Sequence, residues 1–151
     1  IVGTGESAEV RMYGFDGALR RLLRAPSRDL TITDEDVDRF RQDQLAELPE
    51  RMRPEMERQL LDMPMPERFP AYSELLLDRD GNVWIRQFSR PGAPRALWGI
   101  FATDGRYLGE VEMPADFTVF EIGSGYVLGM HRDELDVERV RVYALNKPGM
   151  D

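Results

Sequence analysis

Ser73–Phe88 reads SELLLDRDGNVWIRQF: an apolar run, Asp80-Gly81, then a second apolar run. Asp-Gly between two such runs is a strong short-range signal for a β-hairpin, because a tight turn of the right twist needs residues that tolerate positive φ. Trp98–Pro114, WGIFATDGRYLGEVEMP, repeats the form around Asp104-Gly105. Val10–Pro26, VRMYGFDGALRRLLRAP, carries Asp16-Gly17 at the same offset and the same closing proline. Val140–Tyr143, VRVY, nearly repeats Val10–Tyr13, VRMY. Repeated hairpins mean repeated antiparallel units.

Working outward, the β pattern predicts strands at 73–78, 82–88, 96–103, 106–113, 117–122, 126–131 and 138–145, after a first hairpin in 8–24. The register of the repeat gives the period. From Trp98 to Val140 is 140 − 98 = 42 residues, and from Val10 to Trp98 is 98 − 10 = 88, one further unit plus an insertion. A unit of about 40–50 residues with four strands fits a β-propeller blade. The expected fold is all-β: a partial six-bladed β-propeller, about two and a quarter blades of antiparallel meander, with one α-helical insertion. The expected division is a half-blade hairpin at 1–25, the helical insertion at 26–72, a complete blade at 73–114, and an incomplete blade with a C-terminal tail at 115–151.

The insertion has its own pattern. Thr33 followed by Asp36 has the form of a capping box, and Val37, Phe40 and Leu48 follow at roughly helical spacing until Pro49. Pro54 suits a second helix start, with Met52, Met56, Leu60 and Met63 in phase, and Pro64 and Pro66 end it. Residues 33–62 hold ten acids against five Arg, so the outer face should be acidic, with the apolar stripe laid on β structure or on a partner.

Composition narrows the function. The net charge of −8 makes nucleic acid a poor partner, since phosphate binding needs a basic surface. Zero Cys removes thiolate catalysis, disulfides and Cys-ligated zinc. No apolar run approaches the ~20 residues of a membrane-spanning helix. Nineteen of the twenty basic residues are Arg, which reads as genome composition bias.

Leu75–Phe88, LLLDRDGNVWIRQF, resembles an NHL-type repeat, and Phe69–Leu145 resembles the last blades of bacterial six-bladed, TolB-like propeller proteins. The resemblance implies an exported, periplasmic or lipid-anchored setting and brings no catalytic motif. Six blades at this period need roughly 250 residues, so the chain would be a fragment or a half-propeller that pairs. Its open sheet edges should be covered by a protein partner or the remainder of its own polypeptide.

Asp78, Asp80 and Asn82 around Gly81 resemble the opening of a calcium loop, but position 12 is Ser89 instead of a carboxylate, so a hairpin turn is the better reading. His131, the single His, has no Gly-x-Ser-x-Gly elbow to serve, with Ser73, Ser89 or Ser124 as the available hydroxyls. The acids Asp133, Glu134, Asp136 and Glu138 read as a solvated loop before a calcium site. Trp84, Trp98, Phe88, Phe101, Phe117, Phe120 and Tyr126 read as core, and the Met-rich helix face as packing. Gly3-Thr4-Gly5 is too short for a phosphate loop. No cofactor or metal is expected.

In a meander, successive turns alternate ends. The Asp-Gly turns and Gly123–Gly125 should share one end; the insertion and the 89–95, 114–116 and 131–137 loops the other. Long charged loops on a rigid scaffold are where binding is usually placed. The expected partner-binding face therefore bears the insertion from Asp34 to Met63 together with Arg90, Arg95, His131, Arg132 and Glu134. The expected function is a non-enzymatic extracytoplasmic binding or scaffold module, such as an accessory subunit of a larger membrane-associated assembly. The alternative is a propeller hydrolase or lactonase with a metal in the central channel, for which Glu74, Asp78 and Glu121 are the inner-strand carboxylates.

Overall fold

The computed structural model describes residues 1–26, 28–46, 48–133 and 135–146. Along them run β1 (Glu9–Tyr13), β2 (Leu19–Arg24), α1 (Asp34–Ala46), a single 3-10 turn (Glu50–Met52), α2 (Arg53–Asp62), β3 (Tyr72–Leu77), β4 (Val83–Gln87), β5 (Arg95–Phe101), β6 (Tyr107–Pro114), β7 (Phe117–Ile122), β8 (Tyr126–Arg132) and β9 (Glu138–Ala144). The chain is mostly β, 42% strand against 18% helix. It forms three antiparallel sheets in sequence order: β1-β2, β3-β4-β5-β6 and β7-β8-β9. The seven strands expected after residue 72 are present with ends shifted by at most two residues, and 73–113 makes one four-stranded sheet. The sheets do not close on themselves.

Three turns share one local solution. Gly17, Gly81 and Gly105 all have positive φ, where a Cβ would be strained. Each glycine N–H closes the turn onto a carbonyl three residues back, at Gly14, Asp78 and Ala102. Asp16 and Asp104 accept the backbone N–H two residues on, from Ala18 and Arg106. That local carboxylate-to-amide bond is why Asp precedes Gly in a hairpin turn.

The middle sheet is packed on both faces. Successive side chains of a strand point to opposite sides, so Val83 and Ile85 of β4 join Val10, Leu23, Tyr72 and Phe101 in a core shared with the first hairpin. Trp84, with Trp98 and Met113, joins Phe117, Val119, Ile122 and Val127 in a core shared with the last sheet. Among the described residues β9 has no second neighbour, and all seven of its residues are exposed. The outer face of that sheet leaves Phe120 56% and Val140 70% exposed, so Phe120 is not the core ring its spacing suggests: nothing among the described residues packs on that side.

Two glycines permit close approaches. A Cβ on Gly3 would stand 1.6 Å from the Tyr72 hydroxyl, and one on Gly129 would stand 2.2 Å from the Thr118 carbonyl oxygen. The Tyr72 hydroxyl accepts the Gly5 N–H at 3.1 Å, so Gly3-Thr4-Gly5 serves to wrap the first residues over Tyr72.

The helical segment departs from expectation. The capping box forms: Asp36 accepts the Thr33 N–H at 2.9 Å, and Thr33 Oγ1 accepts the Asp36 N–H at 3.3 Å. The helices pack mainly on each other, not on the sheets. Leu60 is buried and Phe40 half-buried, but Met52 and Met63 are exposed. Two short, strongly charged helices bury little area, and the methionines fall outside the seam.

Asp78 joins turn and core. It is 6% exposed and accepts four N–H groups: Asp80 N at 3.0 Å, Asn82 N at 2.8 Å, Asn82 Nδ2 at 2.8 Å and Trp84 Nε1 at 3.0 Å. Burial alone would raise its pKa; the hydrogen bonds from Asn82, Trp84 and the backbone outweigh that and lower it. A depressed folded-state pKa stabilises above the unfolded carboxyl value, and that contribution is lost as pH falls through the folded one. Asp78→Ala is expected to cost about 2–3 kcal/mol, since it leaves buried donors unpaired. Urea titration should show the loss at neutral pH, and the gap to wild type should narrow in acid.

Candidate functional site

Cross-sheet contacts fix which loops share an end. Arg21 donates to the Asp104 carbonyl, and the Arg79 N–H to the Ile122 carbonyl at 3.0 Å, so the tight turns of all three sheets lie together. At the opposite end the Ala115 N–H bonds the Pro94 carbonyl at 3.1 Å, and Arg86 Nη2 bonds the Ala115 carbonyl at 2.7 Å. The 88–94 loop, the 115–116 link and Asp133 follow strands that run to that end.

The insertion reaches the same end. Leu30 and Ile32 pair with Phe69 and Glu67 as a short antiparallel ribbon. Arg90 donates to the Asp36 carboxylate and, at 3.1 Å, to the Thr31 carbonyl, while its guanidinium carbon lies 5.3 Å from the centre of the Phe69 ring. Asp36 is held down at about 2, by the backbone and hydroxyl of Thr33 and then by Arg90. One carboxylate thus caps α1 and ties it to the β4–β5 loop.

Between the ribbon and this loop lies an open groove of about 320 Å³. Its floor is Phe69 and Phe88, stacked at 4.8 Å and 21°, with Leu97 beside them. Arg28, Arg90 and Arg95 line it, with Asp29 the one acid among the described lining residues, which accepts the Thr31 N–H at 3.0 Å. Gln87 closes the inner end, 6% exposed, donating through Nε2 to Glu110 at 2.8 Å. A second void of about 20 Å³, on whose wall Gln87 also lies, has room for one water molecule. Glu110 also takes both oxygens' worth of Arg28 Nη2 at 3.2 Å. Burial would raise the Glu110 pKa, but Gln87, Tyr107 and Arg28 bring it below the ordinary value. The Tyr107 phenol is pushed up to about 12 by burial and by the Glu110 carboxylate.

Of the expected face, Arg90 and Arg95 therefore share one groove. His131 lies further along the same end, its Nδ1 2.9 Å from the Asp116 carboxylate. Arg132 is held by Asp136 at 3.2 Å and Glu138 at 2.6 Å. Glu134 lies outside the described residues. Ser124 sits in the β7–β8 turn, at the other end from His131. Each carboxylate of the channel reading is engaged internally: Glu74 with Arg86 at 3.5 Å, Glu121 with Arg79 at 2.9 Å and with Tyr126, and Asp78 as above. Among the described residues, no group of three or more His, Asp or Glu is placed to hold a metal ion.

Sequence reasoning passed over Phe69 and Arg28 as contributors, placed Asp36 on the binding face only as part of the insertion, and took Phe88 for core. Phe69 is 19 residues from Phe88, and Arg28 lies 82 from Glu110; no local spacing announces such contacts. No family model, no curated protein and no solved structure matches the chain.

The Asp36–Arg90 tie yields a prediction. Because the folded carboxyl is depressed, the tie is intact above the usual carboxylate range and lost as pH falls toward about 2. Arg90→Ala should reduce hydrogen-exchange protection in the first turn of α1 at pH 7 and leave the β4 and β5 amides unchanged.

Proposed function

We propose that the chain is a non-catalytic binding or scaffold module whose protein partner meets the loop end. The observation that carries this reading is the groove at that end: three arginines around a stacked phenylalanine floor. Supporting it, the inner-strand carboxylates that a metal-channel reading would use, Asp78, Glu74 and Glu121, are spent on internal contacts. The loop end is also braced from two sides, by the insertion through Arg90 and by the 115–116 link through Arg86. A braced concave surface loses little conformational entropy on binding.

Two further elements belong to this proposal. The three sheets are read as consecutive blades of a propeller-like stack, in support of which adjacent sheets pack face to face through separate cores. The exposed β9 edge and the apolar outer face with Phe120, Val140 and Val142 are read as surfaces covered by further β structure, in an exported assembly.

Partner retention tests the reading. Purified from the cells that make it, the protein should lose its partner on Arg95→Glu or Arg132→Glu, and keep it on Asp104→Asn, which touches only a tight turn. Retention by both arginine variants with loss on Asp104→Asn would move the partner to the opposite end and sink the proposal.

A further inference from the structure

Resting on the proposed role of the loop end, the geometry points to the groove of Phe69, Phe88, Arg90 and Arg95 as the seat of a partner's peptide segment in which an aromatic ring stands beside a carboxylate. The floor selects the ring. Phe69 and Phe88 are both half-buried, and each presents surface to the groove. Arg90 already lies over Phe69 and is held there from two sides, by Asp36 and the Thr31 carbonyl. A second ring entering the groove would meet phenyl carbon and the Arg90 guanidinium together, both favourable for an aromatic group.

The arginines select the acid. Three line the groove, where Asp29 is the one acid among the described lining residues, and each also has a carboxylate partner beyond the lining: Glu110 for Arg28, Asp36 for Arg90 and Glu112 for Arg95. Among the described residues their partners leave donors unspent: Arg28 reaches Glu110 through Nη2, Arg90 uses its two Nη atoms, and Arg95 has one ion pair, Nε to Glu112 at 3.8 Å. Arg95 and Glu112 are both about two-thirds exposed, so this pair is loose and open to exchange. A guanidinium offers forked donors that match a carboxylate. Asp34, Glu35 and Asp38 on the adjoining helix, in a chain of net charge −8, disfavour a polyanion, so the fitting ligand carries one carboxylate.

Shape selects a peptide over a free metabolite. Pockets for small molecules bury most of the ligand, and about 300 Å³ is the lower limit of their usual volume. This groove has that volume but lies open to solvent along one side. A side chain held in it brings its own backbone as cover.

The test uses the full chain, isotope-labelled for amide NMR, and the probe acetyl-Ser-Phe-Glu-Ser-amide, with Gln for Glu and Ala for Phe as control peptides. The expected dissociation constant is on the order of 1 mM, because ordering a flexible tetrapeptide offsets much of its contact energy. Shifts should map to Phe88, Arg90, Arg95 and Leu97. They should weaken at least fivefold with either control peptide and with Arg95→Glu, whose remaining spectrum reports an intact fold. Shifts elsewhere, equal binding of the Gln peptide, or no binding would overturn the inference. If partner retention nevertheless depends on Arg95 and Arg132, the loop-end role stands and only the groove assignment falls. Equal or tighter binding of phenylacetate would make the groove a small-acid site and overturn the peptide assignment. Phe15 is fully exposed beside Asp16 at the opposite end. Concentration-dependent shifts without peptide, abolished by Phe15→Ala, would make a second copy the occupant and equally overturn it.

Discussion

Val83 and Trp84 are neighbours on one strand that point to opposite sides, and both are almost wholly buried. The constraint that follows governs the molecule: the β3–β6 sheet must be covered on both faces. The first hairpin supplies one cover through Val10 and Leu23, and the last sheet supplies the other through Phe117, Val119, Ile122 and Val127. An uncovered face would expose several large side chains, each worth about 1.5–3 kcal/mol when buried. The order of the stack follows, and with it the placement of every loop. Asp78 adds a polar tie, reaching from the β3–β4 turn to Trp84 Nε1 inside one of these cores.

The same stacking fixes which end carries surface relief. Short Asp-Gly turns leave one end with little relief. The other end receives the long connections, and there the insertion folds back until Arg90 finds Asp36 and Thr31. The groove is therefore a product of two segments distant in sequence, one carrying Phe69 and the other Phe88 through Arg95. Its cations are positioned by carboxylates outside the floor: Asp36 for Arg90, Glu110 for Arg28 and, loosely, Glu112 for Arg95.

The hairpins were legible because their determinants are local. Period-2 alternation, Gly at positive φ and an Asp that caps the amide two residues on all act within a few positions, so strand ends fell within two residues of expectation. The capping box at Thr33 and Asp36 was legible for the same reason. The packing of the helices was not. Helical phase says which residues share a stripe; it does not say what that stripe meets, and here the helices meet each other while Met52 and Met63 face solvent. Phe120 was misplaced likewise: alternation assigns it a face, and only the stack shows that face uncovered.

By itself the sequence determined the elements: antiparallel hairpins, their turns, the helical insertion, and Arg90, Arg95, His131 and Arg132 falling at one end by the alternation of a meander. Tertiary structure decided which of those residues act together. Arg90 and Arg95 join Phe69, Phe88 and Arg28 around one groove, whereas His131 stands with Asp116 and Arg132 with Asp136 and Glu138. The reason is physical. Turn and strand signals come from backbone sterics and short-range hydrogen bonds, which a few residues encode. A groove is a surface between segments, and its existence depends on how those segments pack.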